Sequence, residues 1–294
     1  MERKSVVTTV QEAAAKIENG MTVAIGGFIS SNIPMVLIRE MIRNKTKNLT
    51  IVAIPAGLEI DLLLAAGCVG KLIVPYVGAE AIAPISPIFR QTVEKGQVEV
   101  MEVDSGIVLA GLKAGVAGLP FMPWRGGVGT SLPELNPTLK VFNDPINGEP
   151  LLAVPAIVPD VAFLHAAYAD KYGNVAHYGT TFMDKTMAGA AETTVVQVEQ
   201  IIPHEFVMGK PNSVTIPNFY VDRIVKAPYG SHPYASEGFY SADIEHLQEY
   251  LHAVKSDDPD GVENYLNKYV TNLSDHEDYL ETIGIRKLLS LAEF

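Results

Sequence analysis

The pattern of apolar and polar residues predicts alternating strands and helices. Residues 23–25 form a short apolar run, and the apolar residues that follow Pro34 recur at helical spacing. Further β-branched or apolar runs predict strands at residues 49–54, 72–77, 98–103, 161–167 and 194–198. Helices are predicted at residues 10–17, 60–66, 89–94 and 109–117. Strands separated by helices indicate an α/β fold, with a mostly parallel, doubly wound sheet and helices on both faces.

The remaining segments predict a loop, an extended region and a helical C-terminus. Residues 119–130 are too rich in Pro and Gly for a helix or a strand, whereas residues 138–160 alternate between extended pieces and a turn. From Asp243 onward, apolar residues recur at helical spacing among acidic ones, with a break between two helices at residues 257–261. We predict one continuous domain, with a core of about residues 1–242 and a helical extension of about residues 243–294.

Composition and charge narrow the class of protein. The chain has 294 residues, of which 48% are hydrophobic and 19% charged, and this is typical of a globular protein. Its net charge of −12 and the absence of a basic stripe disfavour a role in nucleic-acid binding. The N-terminus lacks a signal-peptide core and no apolar run is long enough to span a bilayer, so a cytoplasmic protein is predicted.

Cysteine and histidine spacing gives no sign of a metal site. Cys68 is the one cysteine of the sequence, so an internal disulfide is excluded, and its small apolar neighbours predict a buried structural thiol. No cluster of His, Cys or carboxylates has the spacing of a metal-ligand set, and no metal is therefore predicted.

A pair of adjacent glycines follows the first predicted strand. Gly26 and Gly27 can adopt backbone angles closed to other residues and allow the main chain to approach a ligand closely. Free N–H groups at the start of the next helix would favour an anion or a developing oxyanion. A tight strand-to-helix turn with no ligand explains the same pattern equally well.

Residues 19–34 resemble the signature of family I CoA-transferases. That signature runs as Asn or Asp, Gly, two residues, three apolar residues, Gly-Gly-Phe, three residues, Gly, one residue and Pro. Asn32 replaces the third Gly, and Asn is the residue that best tolerates the positive φ of such a position. The resemblance implies a Rossmann-like fold of the CoA-transferase type. It also implies a substrate-binding, CoA-binding or oxyanion loop formed by Gly26, Gly27, Phe28, Ser30, Ser31 and Asn32.

The resemblance extends over nearly the whole chain. The segments that carry it are residues 89–90, 110–115, 118–123, 169–174, 190–192, 221–233 and 276–280. They look like segments of the family's A (alpha) subunits, and most of all like the alpha chain of glutaconate CoA-transferases. The resemblance implies a partner B (beta) subunit in a heterotetramer or larger assembly, an acyl-CoA and a small carboxylate as substrates, and no tightly bound cofactor.

In this family the thioester is attacked by a glutamate of the B subunit, which implies that the present chain is catalytically incomplete alone. Glu18, Asn19 and Gly20 resemble that nucleophile loop, but they precede a strand instead of following one, so we interpret the match as accidental. The A subunit would supply the glycine loop and the walls of the site.

Other acidic residues remain candidates for chemistry in this chain. Glu80 follows the third predicted strand and would face the ligand, or it would stabilise the start of a helix through the helix dipole. Glu102 and Asp104 close the fourth predicted strand. Relatives that hydrolytically cleave carbon–carbon bonds in CoA thioesters have a glutamate where this chain has Ser105, and this difference favours CoA transfer. If the alignment is shifted by one residue, Asp104 takes that position and hydrolysis becomes an alternative again.

Histidine and arginine give weaker candidates. His232 lies in a tight segment and would bind substrate or serve a structural role, whereas His165 lies in an apolar strand and is predicted to be in the core. Arg125, beside Gly126 and Gly127, would bind a substrate carboxylate or a CoA phosphate, or order its own loop.

These observations predict the alpha subunit of a heteromeric CoA-transferase. One alternative is a CoA-thioester hydrolase, lyase or decarboxylase of the same fold. The other is a subunit that binds acyl-CoA without catalysing a reaction.

Overall fold

The structure is a computed structural model that describes residues 3–80, 82–256 and 258–292. Its strands are β1 (Val7–Thr8), β2 (Thr22–Ile25), β3 (Leu49–Ala53), β4 (Val69–Ile73), β5 (Glu99–Val100), β6 (Phe121–Trp124), β7 (Lys140–Asn143), β8 (Pro150–Pro155), β9 (Val161–Ala169), β10 (Val175–Ala176), β11 (Thr193–Ile201) and β12 (Arg223–Lys226). Its α-helices are α1 (Val10–Ala14), α2 (Met35–Arg43), α3 (Leu58–Ala65), α4 (Pro87–Glu94), α5 (Ser105–Ala117), α6 (Leu132–Leu135), α7 (Asp184–Ala190), α8 (His204–Gly209), α9 (Ile244–Lys255), α10 (Gly261–Leu266), α11 (His276–Ile283) and α12 (Ile285–Leu291).

The main sheet is mostly parallel, as the alternation of strands and helices predicted. Its order is β1-β12-β11-β9-β2-β3-β4-β5, all parallel, and β10 adds an antiparallel pair with β9. From β2 the chain moves outward through β3, β4 and β5, whereas from β9 it moves outward in the opposite direction through β11 and β12. The winding direction therefore reverses between β2 and β9, and ligands of open α/β sheets bind at such a point, outside the carboxyl ends of the strands.

Helices cover both faces of this sheet. Val23 and Ala24 are neighbours on β2, yet Val23 packs in a cluster with Leu37 of α2, and Ala24 packs in another with Val108 of α5. Successive side chains of a strand point to opposite faces, so each face of the sheet has its own hydrophobic core. The predicted doubly wound arrangement is confirmed.

The predicted C-terminal extension is helical and packs on one of those faces. Leu247 and Leu251 of α9 and Tyr279 of α11 are buried in the same cluster as Leu37. The predicted break between helices falls between α9 and α10, although Asp257 lies outside the described residues. Within the described ranges, none of the helices is both long and apolar enough to cross a membrane. The prediction of a single continuous domain stays a prediction.

The prediction of an irregular loop at residues 119–130 is partly wrong, because this segment contains strand β6. This strand pairs antiparallel with β8, and β7 pairs with the other side of β8, so the predicted extended segments of residues 138–160 join it in a second, three-stranded sheet. Pro123 lies within β6 although proline cannot donate a ladder hydrogen bond. It is tolerated because β6 is an edge strand of this sheet.

Several predicted boundaries also need correction. β4 was predicted at residues 72–77, but Val69 already pairs with Leu49, and the strand ends before Pro75, which has no N–H for the ladder. β5 is shorter than predicted. α5 begins four residues before its predicted start because Asp104 caps it, its Oδ1 accepting the Ile107 N–H at 2.6 Å.

Cys68 is buried, as the sequence predicted, and its reactivity should be low. Burial raises the pKa of its thiol to about 11, so about one thiol in a thousand is ionised at pH 8. We expect iodoacetamide to alkylate the native chain about 100-fold more slowly than the urea-unfolded chain at pH 8. Mass spectrometry can follow both reactions, and equal rates of alkylation in the native and the unfolded chain would contradict the buried position of the thiol.

Candidate functional site

The predicted glycine loop lies at the point where the sheet reverses its winding. β2 ends at Ile25, residues 26–33 form the loop, and α2 begins directly after Pro34. The Gly26 N–H donates to the carbonyl oxygen of Phe163 at 2.9 Å, which joins the loop to the adjacent strand β9. The strand, loop and helix predicted from the sequence are confirmed, and their topology places the loop at the ligand edge of the sheet.

Both glycines are required by close packing. A Cβ atom on Gly26 would lie 2.5 Å from Leu164 Cδ2 and 2.6 Å from an oxygen of Asp184. Gly27 has a φ of +97°, and a Cβ atom there would lie 2.6 Å from the carbonyl oxygen of Asn32. Asn32 itself has a φ of +57°, so it adopts the left-handed conformation expected of a residue that replaces glycine.

The loop N–H groups are mostly bound within the protein, contrary to the expectation of free donors. Residues 28–31 form a tight turn in which Ser30 and Ser31 both donate to the carbonyl oxygen of Phe28. At the start of α2, Met35 donates to Ile33. The further donors of the loop and their acceptors are Gly27 to Asp184, Phe28 to Ser31, Asn32 to Ala235 and Ile33 to Ser231.

Ile29, at the tip of that turn, is an exception. Among the hydrogen bonds of the described residues, its N–H is the one backbone donor of residues 26–33 without a protein acceptor, and the side-chain Nδ2 of Asn32 is a second, buried donor without one. Its φ is +51°, which is strained for a β-branched residue. Ile29 therefore combines a strained backbone conformation, of the kind that is concentrated at binding sites, with an N–H that has no acceptor among the described residues.

Three buried side chains that the sequence reasoning missed hold the loop and helix α2. Asp184, Ser231 and Gln197 each accept one of their backbone N–H groups. Each is separated from its partner in the chain, by 157, 198 and 160 residues respectively. No local motif marks them, because their role exists only after distant strands have come together.

A buried network joins α2 to the sheet and fixes the tautomer of His165. The Gln197 side-chain oxygen accepts the Leu37 N–H at 3.2 Å, so its amide nitrogen lies 2.8 Å from Nδ1 of His165. Nδ1 is therefore an acceptor, and the imidazole proton lies on Nε2. Nε2 faces Glu199 at 3.2 Å and Ser236 Oγ at 3.1 Å. A histidine in this state does not remove the Ser236 proton, so the network does not create a nucleophilic serine.

The outer side of the loop carries the other predicted ligand-binding residues. The ring of Phe28 lies 4.9 Å from that of Phe182, centroid to centroid. Ser30 is exposed, and the Ser31 hydroxyl lies 3.4 Å from a carboxylate oxygen of Glu237. The structure thus brings Gly26 to Asn32 together at one edge, with an aromatic and a carboxylate neighbour.

His232 lies in the core and not at that edge. Its side chain is fully buried, with Nδ1 2.7 Å from the Tyr279 hydroxyl and Nε2 3.2 Å from Asp243 Oδ2. Its carbonyl oxygen accepts a hydrogen bond from Arg39 at 3.0 Å. Both ring nitrogens are engaged, which supports the structural role that the sequence had left open. His165 is also fully buried, as predicted.

Arg125, Gly126 and Gly127 lie beside β6, on the three-stranded sheet and not on the sheet of the glycine loop. The Arg125 side chain is 74% exposed and pairs with Glu149. Gly126 packs against Trp124, where a Cβ atom would lie 2.7 Å from the indole nitrogen. The ion pair with Glu149 is consistent with the second of the two predicted roles, the ordering of its own loop, and ligand binding by Arg125 stays a prediction.

The acidic candidates are spread over different surfaces. Glu80 is exposed with a φ of +43°, and since α4 begins at Pro87, the interpretation that it stabilises a helix start is wrong. Glu102 is exposed, and Ser105 is the first residue of α5. Asp104 is committed to capping that helix. Within the described ranges, no three potential ligands converge on a metal site, and the absence of a metal stays a prediction.

Helix α3 carries two buried carboxyl groups, of which Glu59 lies next to the glycine loop. Glu59 accepts the Gly57 N–H at 2.6 Å and the Tyr234 hydroxyl at 2.9 Å, and Gly57 packs against the carbonyl oxygen of Ile29. Burial raises the pKa of Glu59 to about 7. Burial also raises the pKa of Asp61 to about 6. Between its unfolded and its folded pKa, each carboxyl group is therefore protonated in the folded chain and ionised in the unfolded chain.

This difference predicts a pH-dependent stability. A carboxyl group whose folded pKa is raised stabilises the fold fully below its unfolded pKa, and this contribution is lost as the pH rises through the folded value. For Glu59 the loss occurs between about pH 4.3 and 7 and amounts to something on the order of 3 kcal/mol. We expect Glu59→Gln to remove it, so that urea unfolding shows the variant gaining stability relative to the wild type from pH 4.5 to 8.

The buried His246 and His276 change the pH dependence of stability in the opposite direction to Glu59. Comparing Glu59→Gln with the wild type removes their contribution. Burial lowers the pKa of each to about 3, so their contribution is lost as the pH falls below about 6.5. Since both histidines remain in Glu59→Gln, they cancel in the difference between variant and wild type. A difference that is constant from pH 4.5 to 8 would contradict the raised pKa of Glu59.

The topology and the loop define the class of protein: a doubly wound α/β protein with a glycine loop at its ligand edge. The family model described as Coenzyme A transferase matches residues 7–227, and the chain belongs to that family. The chain is 34% identical to the A subunit of 3-oxoadipate CoA-transferase from Pseudomonas knackmussii, over 94% of this chain and 97% of that one. The crystal structure of glutaconate CoA-transferase from Acidaminococcus fermentans superposes with a TM-score of 0.94 at 30% identity, covering 99% of this chain and 96% of that chain.

Other similar proteins are named for different activities. The chain is 30% identical to the cholesterol ring-cleaving hydrolase IpdA subunit from Rhodococcus jostii, over 91% of this chain and 92% of that one. The crystal structure of a variant of the decarboxylase AibA/AibB superposes with a TM-score of 0.78 at 30% identity, covering 90% of this chain and all of that one. An uncharacterised protein from Archaeoglobus fulgidus is 37% identical over 96% of this chain, which spans only 63% of that protein.

Proposed function

We propose that this chain is the A subunit of a heteromeric CoA-transferase that moves CoA between an acyl-CoA and a small mono- or dicarboxylate. The observation that carries the proposal is the glycine loop at the reversal point of the sheet, in a fold that superposes on glutaconate CoA-transferase over nearly its whole length. Its partner would be a B subunit, in a heterotetramer or larger assembly. CoA is a substrate in this proposal, and no tightly bound cofactor takes part.

In this reaction the nucleophile is a glutamate of the B subunit. Its carboxylate attacks the thioester carbonyl and releases CoA as a thiolate, leaving an acyl-glutamyl anhydride. The thiolate then attacks the glutamyl carbonyl of the anhydride, which releases the first carboxylate and forms a glutamyl-CoA thioester. The second carboxylate reverses these steps. Each addition develops negative charge on a carbonyl oxygen, and in this proposal the Ile29 N–H, which has no acceptor in the part of the chain that the structure describes, donates to that oxygen.

Hydrolysis or decarboxylation of a CoA thioester on the same fold is the second candidate. The hydrolase and the decarboxylase among the similar proteins support it, since their sequences are about as similar to this chain as those of the transferases. In that case the candidates for chemistry in this chain are Glu80, Glu102 and Asp104. The position of Asp104 as the cap of α5 weakens its candidacy.

A single experiment separates these functions. The chain is co-expressed with the neighbouring reading frame, incubated with acetyl-CoA or glutaryl-CoA, and treated with borohydride, which reduces a glutamyl thioester to an alcohol. Mass analysis of both chains should find a reduced glutamate on the partner. Free CoA without a modified chain would support hydrolysis, and a shortened acyl product decarboxylation. Binding of acyl-CoA with no turnover in the assembled complex would support a non-catalytic subunit.

A further inference from the structure

The peptide that joins Gly26 to Gly27 is held by the carboxylate of Asp184. Oδ1 of Asp184 accepts the Gly27 N–H at 3.0 Å, and the same oxygen lies 2.6 Å from the position of a Cβ atom on Gly26. Asp184 is the first residue of α7 and is only 1% exposed. The carboxylate therefore contacts both glycines and turns the Gly27 N–H towards the protein interior.

His177 holds this carboxylate from the other side. Its Nε2 lies 3.3 Å from Oδ2 of Asp184, and its Nδ1 lies 2.6 Å from the Thr215 hydroxyl oxygen. The backbone N–H of Thr215 donates in turn to the carbonyl oxygen of Val175 at 2.9 Å. A continuous series of hydrogen bonds thus connects the glycine loop to strand β10.

The proton positions in this series follow from the acceptor at its end. An ionised Asp184 has no proton to donate, so His177 carries one on Nε2 and donates it to Oδ2. Nδ1 of the neutral imidazole then accepts from the Thr215 hydroxyl. The carboxylate thus receives one N–H from His177 and one from Gly27.

We propose that Asp184 and His177 are a positioning pair for the glycine loop. By holding the Gly27 N–H inward, they determine the path of the turn at residues 28–31, in which the Ile29 N–H has no acceptor among the residues that the structure describes. Phe182, two residues before Asp184, contacts Phe28 with its ring tilted by 58° and gives the same two segments a second contact. The effect on turnover rests on the proposed function, whereas the effect on loop order does not.

The pair predicts different results for two substitutions of the same residue. Asp184→Ala leaves the Gly27 N–H and His177 without their buried partner, and the loop loses its position. Asp184→Asn can still accept the Gly27 N–H with its amide oxygen. Its NH₂ group then faces Nε2 of His177, and the imidazole proton moves to Nδ1, where Thr215 can accept it. The conservative variant is therefore expected to retain most of the function that the alanine variant loses.

Asp160→Ala is the matched control. Oδ2 of Asp160 accepts the N–H of Thr22 at 2.7 Å, at the opposite end of the same strand β2. Both alanine variants thus remove one bond between a carboxylate and a backbone N–H of this chain segment. They differ in which edge of the sheet the bond supports, and Asp184 is in addition fully buried and bound to His177.

The first measurement needs no activity. Hydrogen–deuterium exchange of the isolated chain, resolved to single amides, should show faster exchange of Gly27 and its loop neighbours in Asp184→Ala. Asp184→Asn and Asp160→Ala should leave these amides close to the wild-type rate. Unchanged exchange of Gly27 in Asp184→Ala would overturn the proposal, whatever reaction the protein catalyses.

The second measurement uses the chain assembled with its B subunit. Asp184→Ala should lower kcat/KM by about 100-fold, the loss expected from a displacement of about 1 Å in a catalytic loop. Asp184→Asn should recover most of this loss, and Asp160→Ala should stay within about threefold of the wild type. A loss in Asp160→Ala equal to that in Asp184→Ala, at similar thermal stability, would reduce the pair to a structural role and overturn the proposal. If the wild-type assembly is itself inactive, the proposed function fails and the exchange result still decides the role of the pair.

Discussion

Gly27→Val should lower kcat/KM of the assembled enzyme by about 100-fold or more, while the chain still folds. The valine side chain would begin 2.6 Å from the Asn32 carbonyl oxygen and 2.7 Å from Ile33 Cδ1, so the loop must move. Overpacking costs about 1–3 kcal/mol. The φ of +97° adds a further conformational cost of about 1–2 kcal/mol, because Cβ is crowded there. The sum is less than the stability of about 5–15 kcal/mol of a typical domain.

Gly20→Val separates the cost of the backbone angle from the effect on the loop. Gly20 has a φ of +85° and no atom within 4 Å of its potential Cβ position. It precedes β2, at the edge of the sheet opposite the glycine loop. We expect this variant to lose some thermal stability and to keep its activity. Turnover by Gly27→Val within about tenfold of the wild type would remove the glycine loop from the mechanism.

The second large effect concerns stability. Asp243→Ala should destabilise the protein by about 2–4 kcal/mol at pH 7, because it removes a helix cap and leaves the buried His232 and the Lys287 ammonium without their acceptor. Asp243 is 2% exposed, and Oδ1 accepts the His246 N–H at the start of α9. It also lies 3.2 Å from Nε2 of His232 and 3.1 Å from the ammonium of Lys287. One carboxylate thus joins the core to two helices of the C-terminal extension.

The pH dependence of this effect has a definite sign. Burial opposes ionisation of Asp243, but hydrogen bonds from His232, the His246 N–H and Lys287 outweigh it and hold its pKa well below the usual range. A carboxylate with a lowered folded pKa contributes stability above its unfolded pKa of about 3.9, and this contribution is lost as the pH falls. The difference between wild type and variant in urea unfolding should therefore be full at pH 7 and smaller at pH 3.

Asp275→Ala is the control for the capping bond. Asp275 caps α11 by accepting the Asp278 N–H at 2.9 Å, and no His or Lys side chain is bound to it among the described residues. Its replacement should cost about 1 kcal/mol. If Asp243→Ala is no more destabilising than Asp275→Ala, the contacts with His232 and Lys287 contribute nothing beyond the cap.

The C-terminal extension is connected to the candidate site through these same contacts. Ser231 accepts the Ile33 N–H at the end of the glycine loop, and the next residue, His232, is bound by Asp243 and Tyr279 of the extension. The carbonyl oxygen of His232 accepts from Arg39 of α2, the helix that follows the loop. The extension therefore supports the loop from behind, which gives these helices a structural reason to be part of the same folded unit.

Local patterns were sufficient for the elements around the loop. The apolar run of β2, the paired glycines and the helical spacing after Pro34 all lie within residues 19–42, and their conformations depend on near neighbours. The left-handed conformation of Asn32 also followed from its residue type. Proline and glycine counts misled at residues 119–130, because a proline on an edge strand needs no ladder hydrogen bond and the sequence does not reveal which strand is an edge.

The candidate site residues also divide into those whose place the sequence predicted and those whose role only the structure reveals. The sequence singled out Gly26, Gly27 and Phe28, and the structure places them at one edge of the sheet. The sequence also singled out His232 and Arg125. In the structure His232 is bound to Asp243 in the core, and Arg125 is paired with Glu149 on the separate three-stranded sheet. A single residue type in a glycine-rich segment is compatible with several roles, and only its contacts choose between them.

The amino-acid sequence alone was enough for the alternation of strands and helices from β2 to α5, the parallel sheet, the glycine loop and the family, because period, turn chemistry and motif are local properties. The tertiary structure alone decided where the sheet reverses its winding and which side chains hold the loop. Asp184 contacts Gly27 across 157 residues of chain, and no local pattern reports such a pair. It arises from the packing of β9, α7 and β2, which brings distant backbone donors and carboxylates to the same place.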